Sequence, residues 1–336
     1  MNPRVRRRKT ALRQALLAGL AGACLIGTTA CGDVYVHPFR SGTCPVSSTP
    51  VGFAAPTGGG AGMVRVVTTV DQLEQAADTA GPLVIQISGM LTVSGQIDIS
   101  SDKTVEGVGP ASGLTGGGLR LKEVSNVILR NLVISKAVGQ DAIELSTAVN
   151  VWVDHCDLSS DLDNGKSYYD GLVDIVHASE RVTVSWTRFH DHFHSSLVGG
   201  SENNAAEDTG HLTVTFYANL FDNTQSQLPR VRFGKVHVLN NHFRNVALYA
   251  IASVTNAEVF VEGNVFENVA IPMRTNYEDT VGGAIRERDN LEDLASGPSE
   301  ITTASTWSPL YDYADALLPA ERVAQVVDTC AGTRRP

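Results

Sequence analysis

The chain has 336 residues, with 36 Asp and Glu against 26 Lys and Arg, a formal charge of −10. Acidity on that scale repels nucleic acid and anionic membranes, so neither is expected as a partner. About 300 residues with no internal linker fit one large domain.

The chain opens on a cationic head, MNPRVRRRKTALRQ, followed by the apolar run ALLAGLAGACLIGTTA. The run is too short and too rich in small residues for a membrane span, and reads as a secretory signal over residues 1–30. Removing the six cations of the head takes the formal charge from −10 to about −16. The TTAC ending resembles a lipid-attachment site at Cys31, with Cys24 a weaker alternative. The expected location is secreted, with the lipid-anchored form at the outer face of the cell membrane left open. Residues 31–60 form an N-terminal extension. The PTGGGAGM stretch (56–63), at its junction with the next segment, lacks the Lys-Ser/Thr of a phosphate loop and reads as a turn.

Residues 61–336 carry the expected fold. VDQLEQAAD (70–78) places Asp71 three residues before Glu74, a capping-box pattern that opens a short amphipathic helix. Such a helix would plug one open end of a strand array. The segments ILRNLV, VDHCDL, VSWTRF, FYANLF, VLNNHF and VEGNVF share one pattern. Its middle column reads Asn131, Cys156, Thr187, Asn219, Asn241 and Asn264, at spacings of 25, 31, 32, 22 and 23 residues. Short strands at that period predict an all-β solenoid of parallel strands, stacked about 4.8 Å apart. Asn in the same place on each coil would form a hydrogen-bonded ladder, with Cys156 an interior rung rather than a nucleophile. Cys44 and Cys330, near opposite ends of the exported chain, could close it. The two long coils between Cys156 and Asn219 must carry loops, so function is expected on that side. YADALLPAERVAQVV near the C-terminus is expected to cover a flank.

The chemistry-bearing residues fall in and around those coils. Asp141, Asp170 and Asp174 fall in one register when counted from the core strands Val151 and Val182. Three carboxylates on one strand face repel unless a cation sits among them, and hard oxygen donors favour Ca2+. DLDNG (161–165) lacks the spacing of a calcium loop and reads as a turn. His190, His192 and His194 alternate, which raises a transition-metal site as a lesser alternative. In LPRVRFG, Arg230 and Arg232 share a strand face, with Gln227 two residues before Pro229. No Gly-x-Ser-x-Gly elbow suggests a serine hydrolase.

NVWVDHCDL, YYDGLVDIVHASERVTVSW, FHDHFHSSLVG and LPRVRFGKVHVLNNHF, in that order, resemble family 1 of the polysaccharide lyases, the pectate lyases. The likeness runs from about Val64 to past Phe266. It implies a right-handed, single-stranded parallel β-helix with a capping helix, acting as a monomer with no partner protein. It also implies extracellular β-elimination on polygalacturonate with Ca2+ as cofactor. By position, the calcium carboxylates fall on Asp141, Asp170 and Asp174, while Gly139 stands where a further acid sometimes occurs. Retention of the cluster favours the pectate branch over the pectin lyases. The family's Arg-x-Pro-x-x-Arg motif puts its second arginine at Arg232 and its first, the family's base, at Gln227. The substrate-binding lysine falls on His194. With two expected cations replaced, Arg230 or His194 becomes the candidate base. The alternative is an impaired enzyme or a non-catalytic pectate-binding protein.

Overall fold

A computed structural model describes Cys44, residues 47–293 and residues 295–333. The signal segment, Cys24 and Cys31 lie outside the described residues. The strands form a parallel solenoid. One face is a ten-stranded sheet running from Met63–Val67 to Ala284–Arg288. The other two faces belong to a fifteen-stranded sheet folded along the long strand Gly113–Lys122. That strand pairs with Val133–Ser135 at its start and with Ile143–Ser146 at its end. Each coil therefore contributes one strand to each of three faces.

The interior is set by the repeat. Phe189, Phe221, Phe243 and Phe266 stack face to face with ring centroids 4.6, 5.0 and 4.9 Å apart, close to the strand spacing. The polar ladder forms alongside. Asn219 Nδ2 donates to Asn241 Oδ1 at 2.9 Å, and Asn241 Nδ2 to Asn264 Oδ1 at 3.0 Å. Asn264 Nδ2 continues to Asn290 Oδ1 at 3.0 Å, a rung beyond the last one expected. Thr187 joins through its backbone N–H to Asn219 Oδ1, and Cys156 through its N–H to Thr187 Oγ1. Cys156 is fully buried, and burial pushes its thiol up to about 12, so it packs and does not react.

The ends are covered as the sequence suggests, with one change. The helix Val70–Ala77 packs Leu73, Ala76 and Ala77 against the first strands. Its cap is Thr69, whose hydroxyl accepts from Gln72 N, while Gln72 Oε1 accepts from Thr68 N at 2.8 Å. The capping box is thus Thr69 with Gln72, and Asp71 lies inside the first turn, where its charge still favours the helix dipole. The helix Ala320–Cys330 packs Val323, Val326 and Val327 over the strands His242–Val246 and Val265–Val269. A Cys44–Cys330 disulfide ties this helix to the N-terminal segment.

The two long coils do carry loops, at different corners. Residues 160–172 leave between the second and third faces, and residues 199–212, with the short helix Ala205–Asp208, leave between the third and first. A third loop, residues 275–283, precedes the strand Ala284–Arg288. All three border the third face.

Candidate active site

The acidic half of the site lies where loop 160–172 enters the strand Val173–Val176. The register sets Asp174 opposite Glu144 of the strand Ile143–Ser146. One step earlier, Gly171 N donates to Asp141 Oδ1 at 2.7 Å. Asp174 Oδ1 in turn accepts from Leu197 N at 3.0 Å. Both carboxylates close on Gly171: a Cβ there would lie less than 3.0 Å from Asp174 Oδ1 and 2.8 Å from Asp141 Oδ1. The two oxygens are therefore within about 5 Å of one another, the span bridged by one hard cation with ligand distances of about 2.3–2.6 Å.

The electrostatics fit the same picture. Burial, with the Asp170 charge added, lifts Asp141 to about 7. Burial and the Asp141 charge lift Asp174 well above the usual carboxylate range. Glu144 adds to both shifts. Asp170 is exposed in the turn before the strand. The cluster is thus assembled by the turn, not by alternation along one strand. Among the described residues no three His, Cys, Asp or Glu side chains are gathered into a ready-made metal cage. The donor set fits a hard cation through the Asp141–Asp174 pair, with Asp170 and Glu144 flanking it.

The cationic half lies two coils further along. Gln227, at φ 61°, precedes the cis Leu228–Pro229 bond, and its carbonyl accepts from Ser196 N at 2.7 Å. Ser195 O accepts from both Leu172 N and Val173 N at 3.0 Å, which stacks this corner on the acidic one, roughly 10 Å away at two strand spacings. Leu197 pairs with Arg230, so Arg230 lies in the row of Glu144 and Asp174. The strand Arg230–Arg232 presents both arginines to Asp279. Arg232 Nε donates to Asp279 Oδ2 at 2.6 Å and Arg232 Nη2 to Asp279 Oδ1 at 3.0 Å, while Arg230 Nη2 also donates to Asp279 Oδ1. Arg230 further pairs with Glu278 at 3.5 Å and lies over the Tyr277 ring.

The three alternating histidines part company. His190 is bonded by Asp157 at 3.0 Å and Asp191 at 2.7 Å; burial lowers its pKa, but these partners outweigh burial and raise it. His192 bridges Ser160 Oγ and Asp170 O, both at 2.6 Å, and burial pulls it down to about 4. The alternation breaks at Asp191 (φ 52°), so His190 lies in the outward row of Asp222 and Arg244 and His192 in the buried row of Thr224 and Val246; the expected shared face, on which a transition-metal site would rest, does not form. His194 is half-buried. Burial, Lys166 and Arg230 lower its pKa against Asp170 and Glu278, which leaves a neutral imidazole at neutral pH.

Glu144, Lys166 and Asp279 join the site without having been singled out in the sequence. For Asp279 one signal existed: from Asn264 to Asn290 the ladder runs 26 residues, longer than the two coils before it, so that coil carries a loop.

The fold is a parallel β-helix that carries an acidic corner and two arginines further along one face. The pectate lyase family model matches residues 23–335. Pectate lyase plyB of Emericella nidulans is 40% identical over 296 residues, covering 85% of this chain and 89% of its own. Pectate lyase B of Colletotrichum gloeosporioides is 39% identical over 286 residues, covering 84% and 85%. Among solved structures, a pectate lyase from Bacillus sp. N165 in complex with trigalacturonate superposes with a TM-score of 0.78 at 28% identity, covering 84% of this chain and 98% of that one. The chain belongs to the pectate lyase family, and it is a polysaccharide lyase.

Proposed function

We propose that this protein is exported and cleaves polygalacturonate by calcium-dependent β-elimination. The observation that carries the calcium requirement is the closure of Asp141 and Asp174 on Gly171, with burial and mutual repulsion opposing their ionisation. Asp141, Asp170 and Asp174, with Glu144 in register, would hold the ion. When bound, Ca2+ would withdraw charge from a uronate carboxylate and so acidify the C5 proton. An acidic protein and a polyanion otherwise repel, so the same residues also account for recruitment.

The rest falls to this chain's own groups. Arg230 and Arg232 are cations held by Asp279, suited to a uronate carboxylate and to the charge that builds during elimination. Of the two candidate bases, the ion pairs favour His194 over Arg230: its neutral imidazole can take the C5 proton, whereas a guanidinium paired with Asp279 has no lone pair to accept one. The C4–O bond then breaks, a C4=C5 double bond forms, and water protonates the leaving oxygen. Gln227, at the same corner, would hydrogen-bond the sugar and contribute no charge.

The test is calorimetric titration of Ca2+ into the parent and into Asp174→Asn. Loss of about tenfold or more in affinity is expected on removing one charged ligand. Unchanged affinity would take the ion away from this corner.

A further inference from the structure

The side chain of Asp279 is only 4% exposed, although the residue sits in a loop and its backbone is partly accessible. Every bond its side chain makes inside the protein goes to the groove wall. It accepts from Arg230, from Arg232 through two nitrogens, and from Thr255 Oγ1 at 2.6 Å. Burial alone would raise its pKa; Arg232, Thr255 and Arg230 overcome that and hold it below the usual carboxylate range. The loop itself is fastened. Gly283 N donates to Thr275 O at 3.0 Å across its neck, Thr255 N donates to Val281 O at 2.6 Å, and Thr280 N donates to Glu202 Oε2 at 2.8 Å. On the other side, Arg232 Nη1 donates to Gly199 O at 3.0 Å, while Arg230 Nε is buried with no hydrogen-bond partner among the described residues. Two arginines two positions apart on one strand would drive each other outward if left alone. Asp279 lies between them and binds both, while the exposed Glu278 reaches Arg230 alone at 3.5 Å.

We propose that Asp279 is a positioning residue for elimination: it fixes Arg230 and Arg232 so that they meet a uronate carboxylate in one geometry. The inference rests on the groove assignment above and concerns substrate geometry, not calcium. It also implies that residues 275–283 belong to the groove wall although they are remote in sequence from every other site residue. The competing idea is that Asp279 mimics a uronate and must be displaced by it. The burial of its side chain and its fourth bond, from Thr255, favour the fixed role.

The experiment compares the parent with Asp279→Asn, Asp279→Glu and Thr255→Val for kcat and KM on polygalacturonate. Trigalacturonate affinity in the presence of Ca2+, Ca2+ affinity alone, and thermal unfolding are measured on the same samples. For Asp279→Asn we expect trigalacturonate affinity and kcat/KM each to fall by about tenfold or more, since two charge-assisted clamps loosen. Ca2+ affinity should stay within about twofold, because the acidic corner lies two coils away. Asp279→Glu should recover part of the loss, and Thr255→Val should reproduce a smaller version of it. Parent-like values for a folded Asp279→Asn would overturn the proposal. Tighter trigalacturonate binding or faster turnover would also overturn it, in favour of the mimic. Lost Ca2+ affinity in the parent itself would strike at the calcium assignment and leave the trigalacturonate comparison standing. Should Asp279→Asn fail to fold, Thr255→Val carries the test: unchanged substrate affinity in that variant overturns the proposal.

Discussion

Replacing Gly171 with alanine probes the acidic corner without touching a charge. The added Cβ would lie less than 3.0 Å from Asp174 Oδ1 and 2.8 Å from Asp141 Oδ1, distances that real Cβ atoms essentially never show. Both oxygens are anchored, one by Gly171 N at 2.7 Å and the other by Leu197 N at 3.0 Å, so neither can swing away without losing a backbone bond. Relief needs shifts of several tenths of an ångström, whereas ligand distances in a working metal site hold to about 0.2 Å. Calcium affinity should therefore fall by about tenfold or more, the order expected when geometry around the ion is spoiled. The assay is calorimetric titration of Ca2+, paired with the Ca2+ concentration for half-maximal activity. The metal-free protein should still fold but unfold at a lower temperature, because the buried Cβ strains two carboxylates anchored to backbone N–H groups. Parent-like Ca2+ affinity in folded Gly171→Ala would refute the idea that the two carboxylates grip one ion across this glycine.

Metal-free stability should depend on pH with an unusual sign. Folded Asp141 keeps its proton up to about pH 7, whereas the unfolded residue releases it near 4. The folded state binds more protons there, so Asp141's own contribution to stability under chelator is complete below about pH 4 and is lost as pH rises to about 7, a term isolated by comparison with Asp141→Asn. Thermal unfolding across that range checks it, and added Ca2+ should remove the decline at pH 7. Cys156 should be silent to thiol reagents at pH 8, since its thiol titrates at about 12; Cys156→Ser should fold with the parent's activity at a cost of about 1 kcal/mol. His194→Ala should lower kcat by about 100-fold with Ca2+ affinity unchanged, as loss of a positioned base does. If Arg230→Ala abolishes turnover while His194→Ala retains it, arginine is the base after all. Gln227→Arg should raise turnover by about tenfold or more if the missing cation limits catalysis, and steady-state kinetics would show it.

What the sequence revealed came from periodicity. Asn219, Asn241 and Asn264 announced the ladder because a solenoid repeats one environment at one spacing. Asn290 escaped because the strand before it, AIRER, lacks the apolar pattern of the other coils. Asp141 and Asp174 were found by register, yet the feature that joins them, a glycine between them, makes no mark in a count of charges. The histidines show the converse: the alternation in the sequence implied one shared face, but the left-handed backbone at Asp191 breaks it and turns His192 into a buried row while His190 stays outward. For Asp279 the coil length signals a loop but not its partners. Its arginines lie 47 and 49 residues back along the chain, and only coil stacking brings them together.

The most direct test of calcium-dependent elimination is ultraviolet detection of the unsaturated uronate product from polygalacturonate, first with Ca2+ and then with excess chelator. We expect absorbance to rise steadily with Ca2+, to stop on chelation and to resume when Ca2+ is restored. Product formation that continues at the same rate under chelator, or none at all from a folded, Ca2+-bound protein, would contradict it.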